Sequence, residues 1–258
     1  MNWFPQIGGG SIAQFPLGRG RKWRMVRNEM EDGARITLAD AHSGQVEWRL
    51  SYQDLSDSET AAIAGLFQSS RGGYGAFGFV DPTANLLAWS EDLTRPDWQA
   101  GSLTVTGSIA DPLGGHGAWQ LSNPAAGELQ CTQTIGLQGS YVACFSMWIR
   151  AGSPVIVALD RDGTRSSFAA GTAWSRVYLG IPGNTGAEQS AFSVAVPASA
   201  TVQVFGMQVE CQPYPSKYKP SGAAFGIYPE TYFGKDELAV RATGPGLSAT
   251  DLVLVSRC

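Results

Sequence analysis

The fold is decided by residues 141–152, which read YVACFSMWIRAG. Apolar side chains occupy every second position of this run, and a period of two is typical of a strand with one face in a core. Phe145, Met147 and Ile149 share the face that we expect to be buried. Trp148 and Arg150 therefore lie on the opposite face.

The same pattern extends through the surrounding chain, where short apolar runs are separated by turns rich in Gly, Pro, Asn and Ser. The predicted strands are Ser102–Ile109, Gly117–Ser122, Leu129–Ile135, Tyr141–Arg150, Val155–Asp160, Trp174–Ile181, Ala191–Val196 and Val202–Glu210. This series without a helix predicts an antiparallel β-sandwich or jelly roll, which we place at residues 84–220.

The flanking segments predict a second, β-rich α+β domain with one helix. Ser56 and Glu59 form a capping box, and a helical apolar face follows until Gly72-Gly73 ends the helix. The strands predicted around it are Arg35–Asp40, Gln45–Tyr52, Glu237–Ala242 and Asp251–Val255. The simplest organisation is a split domain, residues 1–82 with 222–258, into which the sandwich is inserted. The fold class is therefore mainly β.

Composition excludes several classes of function. The chain has 258 residues, 16% of them charged, and a net charge of −4. No apolar run is long enough to span a membrane, and the first residues lack the pattern of a signal peptide. An acidic balance disfavours nucleic acid as the main partner. The cysteines have no C-x-x-C spacing and are expected to be buried thiols, although a disulfide among the first three stays open. They are Cys131, Cys144, Cys211 and Cys258.

Two ordered sets of motifs resemble phage tail proteins. WRLSYQDL at residues 48–55, the helix, and FGFVDP at 77–82 resemble the distal tail or minor tail (hub) proteins of long-tailed bacteriophages and gene transfer agents. NLLAWSED at 85–92, FSMWIRAG at 145–152, TAWSRV at 172–177 and GMQVE at 206–210 resemble a carbohydrate-binding-like jelly roll that occurs in phage tail proteins.

The resemblance implies a ring-forming structural subunit, assembled as a hexamer, with the sandwich facing outward. Its implied partners are copies of itself, other tail proteins (tail tube, hub, baseplate) and host surface glycans. It also implies a location at the distal end of the virion tail after assembly in the host bacterial cytoplasm.

No motif predicts catalysis, so we expect no enzymatic activity. The two histidines, His42 and His116, both lie in segments of turn composition. Asp160 and Asp162 could serve a hydrolase or begin a calcium loop, but a hairpin turn explains them better. A cell-wall hydrolase stays the weaker alternative to a binding protein.

Aromatic and acidic residues are the candidate ligand contacts. Trp148, beside Trp174 or Tyr178 on a neighbouring strand, would form a platform on which sugar rings stack. The alternative is that both tryptophans are partly buried and cover the sheet. Glu91 and Glu210 could hold a structural calcium ion where the first and last strands of such a jelly roll meet, and hydrogen bonds at caps and turns are the alternative.

The N-terminal segment is the candidate assembly surface. It carries a basic stretch followed at once by an acidic one, which favours contact with a neighbouring subunit over nucleic acid. The basic residues are Arg19, Arg21, Lys22, Arg24 and Arg27. Residues 2–20 have little periodicity, and we expect them to become ordered on another chain. The alternative function for the whole protein is a sugar-binding adhesin with no role in a ring.

Overall fold

The computed structural model describes residues 2–40, 43–223 and 226–257. It is mainly β, with one α-helix among the described residues, and this confirms the predicted fold class. The chain divides into two compact units. The split unit comprises Met1–Gly8, Ile12–Val80 and Tyr228–Cys258, and the sandwich unit comprises Gly9–Ser11 and Asp81–Ile227.

The elements, in chain order, are β1 Gly18–Lys22, β2 Met25–Glu29, β3 Arg35–Ala39, β4 Gln45–Ser56, α1 Asp57–Ser69, β5 Phe77–Val80, β6 Thr104–Ile109, β7 Ala118–Ser122, β8 Leu129–Ile135, β9 Val142–Arg150, β10 Val155–Arg161, β11 Thr164–Ala170, β12 Ser175–Pro182, β13 Ser190–Val196, β14 Thr201–Glu210, β15 Ile227–Phe233, β16 Val240–Gly244 and β17 Leu247–Arg257.

The split unit is built on a six-stranded sheet with the order β1-β4-β17-β15-β5, and β16 also pairs with β17. Its central contact joins β4 to β17 in antiparallel register, from Gln45 opposite Arg257 to Ser56 opposite Leu247. Alternate residues of β4, among them Trp48 and Tyr52, are fully buried, so one face of this strand lies in the core.

The helix begins where the capping box predicts. Ser56 accepts a hydrogen bond from the Glu59 backbone N–H, and the Glu59 carboxylate accepts one from the Ser56 N–H at 2.8 Å. Ile63 and Leu66 are buried, which anchors the apolar face of α1. The helix ends at Ser69, and the N–H of Gly72, at φ 63°, donates to the Phe67 carbonyl.

Most of the N-terminal segment packs within the split unit, so the prediction that residues 2–20 need another chain for order is wrong. Phe4 is fully buried, and its ring contacts those of Phe77 and Phe79. The Gln14 side-chain amide bonds both the N–H and the C=O of Gln53, each at 2.8 Å. Buried aromatic contacts therefore hold this segment in place, although its sequence lacks the periodicity of a strand or a helix.

Strands β2 and β3 form a separate two-stranded sheet, the hairpin, and every residue of both strands is exposed. Val26 lies opposite Leu38, and Asn28 opposite Ile36, so the three apolar side chains share one face. The prediction of a turn at residues 40–44 includes His42, which lies outside the described residues, as does Cys258.

The sandwich unit consists of a four-stranded sheet, β11-β10-β13-β8, and a five-stranded sheet, β12-β9-β14-β7-β6. Phe145, Met147 and Ile149 are fully buried, as the alternation predicts. The Phe145 ring packs on Phe192 of the other sheet, at 5.7 Å between ring centroids. Apolar faces of the two sheets thus meet in one core.

The predicted strands of the sandwich match the observed ones closely, except that β11 was missed. This strand reads TRSSFAA and is mostly exposed, so it lacks the apolar alternation that reveals the others. It pairs with β10 through a turn at Asp162 and Gly163, both at positive φ, which confirms the hairpin interpretation of residues 160–163.

Three cysteines, Cys131, Cys144 and Cys211, are buried free thiols. Burial raises the pKa of the Cys131 thiol to about 12, so it is protonated and inert at neutral pH. No helix among the described residues is long and apolar enough to cross a membrane.

Candidate functional site

The outer face of the five-stranded sheet carries the predicted sugar contacts. Trp148 lies on this face, opposite Arg176 on β12 and Phe205 on β14. The Arg176 guanidinium lies over the Trp148 ring, with its Cζ 4.5 Å from the ring centroid. Phe205 and Tyr218 contact the same indole. Trp148 is therefore half-buried in an aromatic cluster, and its ring face is occupied by a cation.

Trp174 has a similar cover. The Arg150 guanidinium lies 4.5 Å from the ring centroid of Trp174 and donates through Nε to Gln203 Oε1 at 2.5 Å. The arrangement of both tryptophans corresponds to the alternative in which they are partly buried and cover the sheet. On each indole, the face that the arginine covers is closed to a ligand unless that arginine moves.

Tyr178 is the predicted residue that stays accessible, with 42% of its surface exposed. Its ring lies 6.1 Å from that of Tyr214, which is 66% exposed, and the two planes meet at 71°. This pair is the exposed aromatic surface of the sheet. Tyr214 is not among the predicted contacts, because it lies in the irregular segment after β14, where no periodicity shows which side chains are exposed.

Glu210 is a buried anion with protein donors on both of its oxygens. Oε1 accepts from Lys219 Nζ at 2.8 Å and from the Ser216 hydroxyl, and Oε2 accepts from the Ser216 N–H and from Gln208. Burial alone would raise the pKa of Glu210, but the hydrogen bonds from Lys219 and Ser216 outweigh it and hold the pKa below its ordinary value. The network fastens residues 212–219 to the last strand of the sandwich.

The geometry at Glu210 does not support the predicted calcium site. The ammonium group of Lys219 already lies against the carboxylate, at the position that a calcium ion would occupy. Glu91 is exposed, and its backbone carbonyl accepts a hydrogen bond from the Trp119 indole at 3.0 Å. Among the described residues, no group of three His, Cys, Asp or Glu side chains could hold a metal ion. Glu210 therefore matches the alternative to a calcium site, in which its oxygens accept hydrogen bonds from protein groups.

Asp160 and Asp162 serve the β10–β11 turn. Asp160 accepts from the Gly163 N–H at 2.8 Å and pairs with Arg165, and Asp162 accepts from the Ala191 N–H at 2.7 Å. The Asp160 oxygens accept from backbone and arginine donors, and Asp162 Oδ2 lies 3.6 Å from Arg161 Nε, so both side chains serve the structure of the turn.

The basic stretch of the N-terminal segment divides between two strands. β1 carries Arg19, Arg21 and Lys22 and pairs with β4, while Arg27 lies on β2 in the hairpin. Arg24 lies between them and binds Asp40 at 2.6 Å. Strand β1 is the first strand of its sheet, so its outer edge has no partner strand among the described residues.

A basic groove lies at the base of the hairpin and encloses about 460 Å³. Its charged lining consists of Lys22, Arg24 and Arg257 against a single carboxylate, Asp40. Trp23 adds an exposed apolar surface. The sequence could not reveal this groove, because Arg257 enters it from the far end of the chain.

The chain matches no family model and no curated protein. Solved structures that resemble part of it include the enzymatically active domain of tailspike protein 4 from bacteriophage CBA120, at 17% identity and a TM-score of 0.37 over 51% of this chain and 22% of that one. A CBM4 structure matches at 14% identity and a TM-score of 0.37, over 50% of this chain and 95% of that chain. The CBM22-1 xylan-binding domain from Paenibacillus barcinonensis Xyn10C matches at 14% identity and a TM-score of 0.41, over 53% of this chain and 97% of that chain. At these identities and TM-scores the likenesses carry no inference about function.

Proposed function

We propose that this chain is a self-assembling structural subunit of a phage tail tip, in which the split unit forms the ring and the sandwich contacts host surface glycans. The proposal assigns no chemical reaction to the chain. Its working parts are an interface that joins copies and an exposed surface that meets the host.

The observation that carries the proposal is the apolar face of the hairpin. Val26, Ile36 and Leu38 share that face and are 52%, 42% and 58% exposed. An isolated two-stranded hairpin is only marginally stable in water. Full burial of such a side chain contributes about 1.5 to 3 kcal/mol, and these three still expose about half of their surface, so covering them would contribute about half of that each and favour association.

The matched test compares two double variants of the full chain. V26S/L38S removes the apolar face of the hairpin, and L113S/I156S removes two comparably exposed apolar side chains of the sandwich unit, at 66% and 59%. We expect the wild type and the sandwich variant to form the same oligomer in light scattering and negative-stain images, and the hairpin variant to be monomeric. A wild type that stays monomeric at high concentration would overturn the proposal.

Glycan contact by the sandwich is supported by the exposed pair Tyr178 and Tyr214. Flat aromatic faces stack on the apolar C–H faces of sugars, and this pair is accessible without rearrangement. An array of bacterial surface polysaccharides should retain the wild type and the Tyr74→Ala control, whose tyrosine is 80% exposed in the split unit. Y178A/Y214A should lose retention; equal retention of all three proteins would contradict glycan contact at this pair.

A further inference from the structure

The hairpin has charges of opposite sign at its two ends. Its turn carries Glu31 and Asp32, after Glu29 at the end of β2. Neither Glu29 nor Glu31 forms a salt bridge among the described residues. Asp32 accepts a hydrogen bond from the Ala34 N–H at 2.9 Å, which fixes the turn. Arg35 lies opposite Glu29 in the register, so this end of the hairpin holds three carboxylates against one guanidinium and is acidic on balance.

The base of the hairpin is basic. The groove there presents Lys22, Arg24 and Arg257; Lys22 is paired with Glu47 and Arg24 with Asp40, which leaves the charge of Arg257 in excess. Arg257 is exposed and has no acidic partner among the described residues. The chain as a whole is acidic, at −4, so this local excess of positive charge stands out against its surroundings.

We infer that the acidic turn of one copy docks in the basic groove of a second copy. The inference rests on the proposed function and names the surfaces that the ring contact uses. The turn of each copy can dock in the groove of the next copy, head to tail, and a heterologous contact of this kind generates a ring when its rotation closes. The exposed indole of Trp23 in the groove offers an apolar surface to the docked hairpin.

The charge pattern favours this occupant over nucleic acid. A nucleic acid bound in the groove would bring its phosphates near the carboxylates of the acidic turn on the same hairpin. These negative charges would repel each other. A second copy uses both signs, since each copy supplies one turn and one groove. Charge complementarity of this kind sets register and the choice of partner.

Charge reversal tests the contact in the full chain. Glu31→Lys and Arg257→Glu should each weaken association about tenfold in sedimentation at low salt, and E31K/R257E should restore most of the loss. Asp97→Lys and Lys217→Glu make the same charge changes at exposed positions of the sandwich unit and should leave association unchanged. Circular dichroism melting confirms that each variant is folded.

Three results would overturn the inference, and they separate it from the proposed function. If the single charge reversals leave the oligomer intact while V26S/L38S dissociates it, the turn-to-groove contact is wrong and the proposed ring still stands. Failure of E31K/R257E to recover would also remove that contact. Binding of a labelled DNA duplex that R257E abolishes, without any effect on association, would assign the groove to nucleic acid.

Discussion

Replacing Lys219 by methionine should destabilise the sandwich unit, because it leaves the Glu210 carboxylate buried without its cation. The Glu210 side chain is 1% exposed, and Lys219 Nζ lies 2.8 Å from its Oε1. A hydrogen bond to a charged group contributes about 1.5 to 3 kcal/mol, and removal of one partner of a buried pair costs about 3 to 5 kcal/mol. Lys219 is 32% exposed, and donors from Ser216 and Gln208 remain. Because these features reduce the cost, we expect the free energy of unfolding to fall by about 2 kcal/mol at pH 7, below the range for a fully buried pair.

The loss should depend on pH with a defined sign. In the wild type the pKa of Glu210 is held below 4.5, so its contribution to the free energy of unfolding is full above that value and is lost as the pH falls through the lowered pKa. Without Lys219 the effect of burial prevails and the pKa rises, so the variant carboxylate becomes protonated at a higher pH. The difference between the two proteins should therefore shrink between pH 7 and about pH 4.

Urea titrations followed by tryptophan fluorescence, at pH 7 and pH 4, measure both effects. Hydrogen exchange of peptides from Thr201–Glu210 assigns the change to the sandwich unit. Lys217→Met is the matched control, since Lys217 is exposed and should tolerate the change within about 0.5 kcal/mol. Equal destabilisation by the two variants, or a loss for Lys219→Met that is the same at both pH values, would refute the reasoning.

Four other substitutions test the packing and the helix. Ser56→Ala removes the cap of α1 and should lower the free energy of unfolding of the split unit by about 1 kcal/mol, measured by urea titration; no change would show that the capping box is dispensable. Gly206→Ala places a Cβ 3.0 Å from the Trp148 ring at φ +64° and should cost about 1 to 2 kcal/mol, with a lower melting temperature as the readout. Trp148→Ala should cost about 3 kcal/mol because it empties the cluster under Arg176, whereas Tyr178→Ala should stay within about 0.5 kcal/mol; the opposite order in urea titration would contradict the assigned burial.

The sequence predicts most of the fold because most of its strands alternate. Strand β9 reads as buried and exposed residues in turn, and the capping box at Ser56 marks the helix start directly. The missed strands have another composition. β1 reads GRGRK and is entirely exposed, so backbone pairing with β4 holds it rather than apolar burial. Propensity and periodicity do not register such a strand.

The candidate site was harder to predict because it depends on what covers each side chain. Alternation places Trp148 on the outer face correctly, but it cannot show that Arg176 lies over the ring. Tyr214 and Lys219 act from a segment without regular structure, where spacing carries no geometric information. The basic groove needs Arg257 from the end of β17, a contact that only the tertiary structure provides.

The Gln14 side chain limits the length of edge over which a strand from another molecule could pair with the six-stranded sheet. Strand β1 stops opposite Arg49, and beyond it the backbone groups of Gln53 are already bonded by the Gln14 side chain. An incoming peptide on the outer edge of β1 would thus find a template of five residues, Gly18–Lys22. Fibril-forming segments usually need about six or seven residues of low charge, and this edge is both shorter and cationic. This edge of the sheet is thereby a poor template for continued polymerisation.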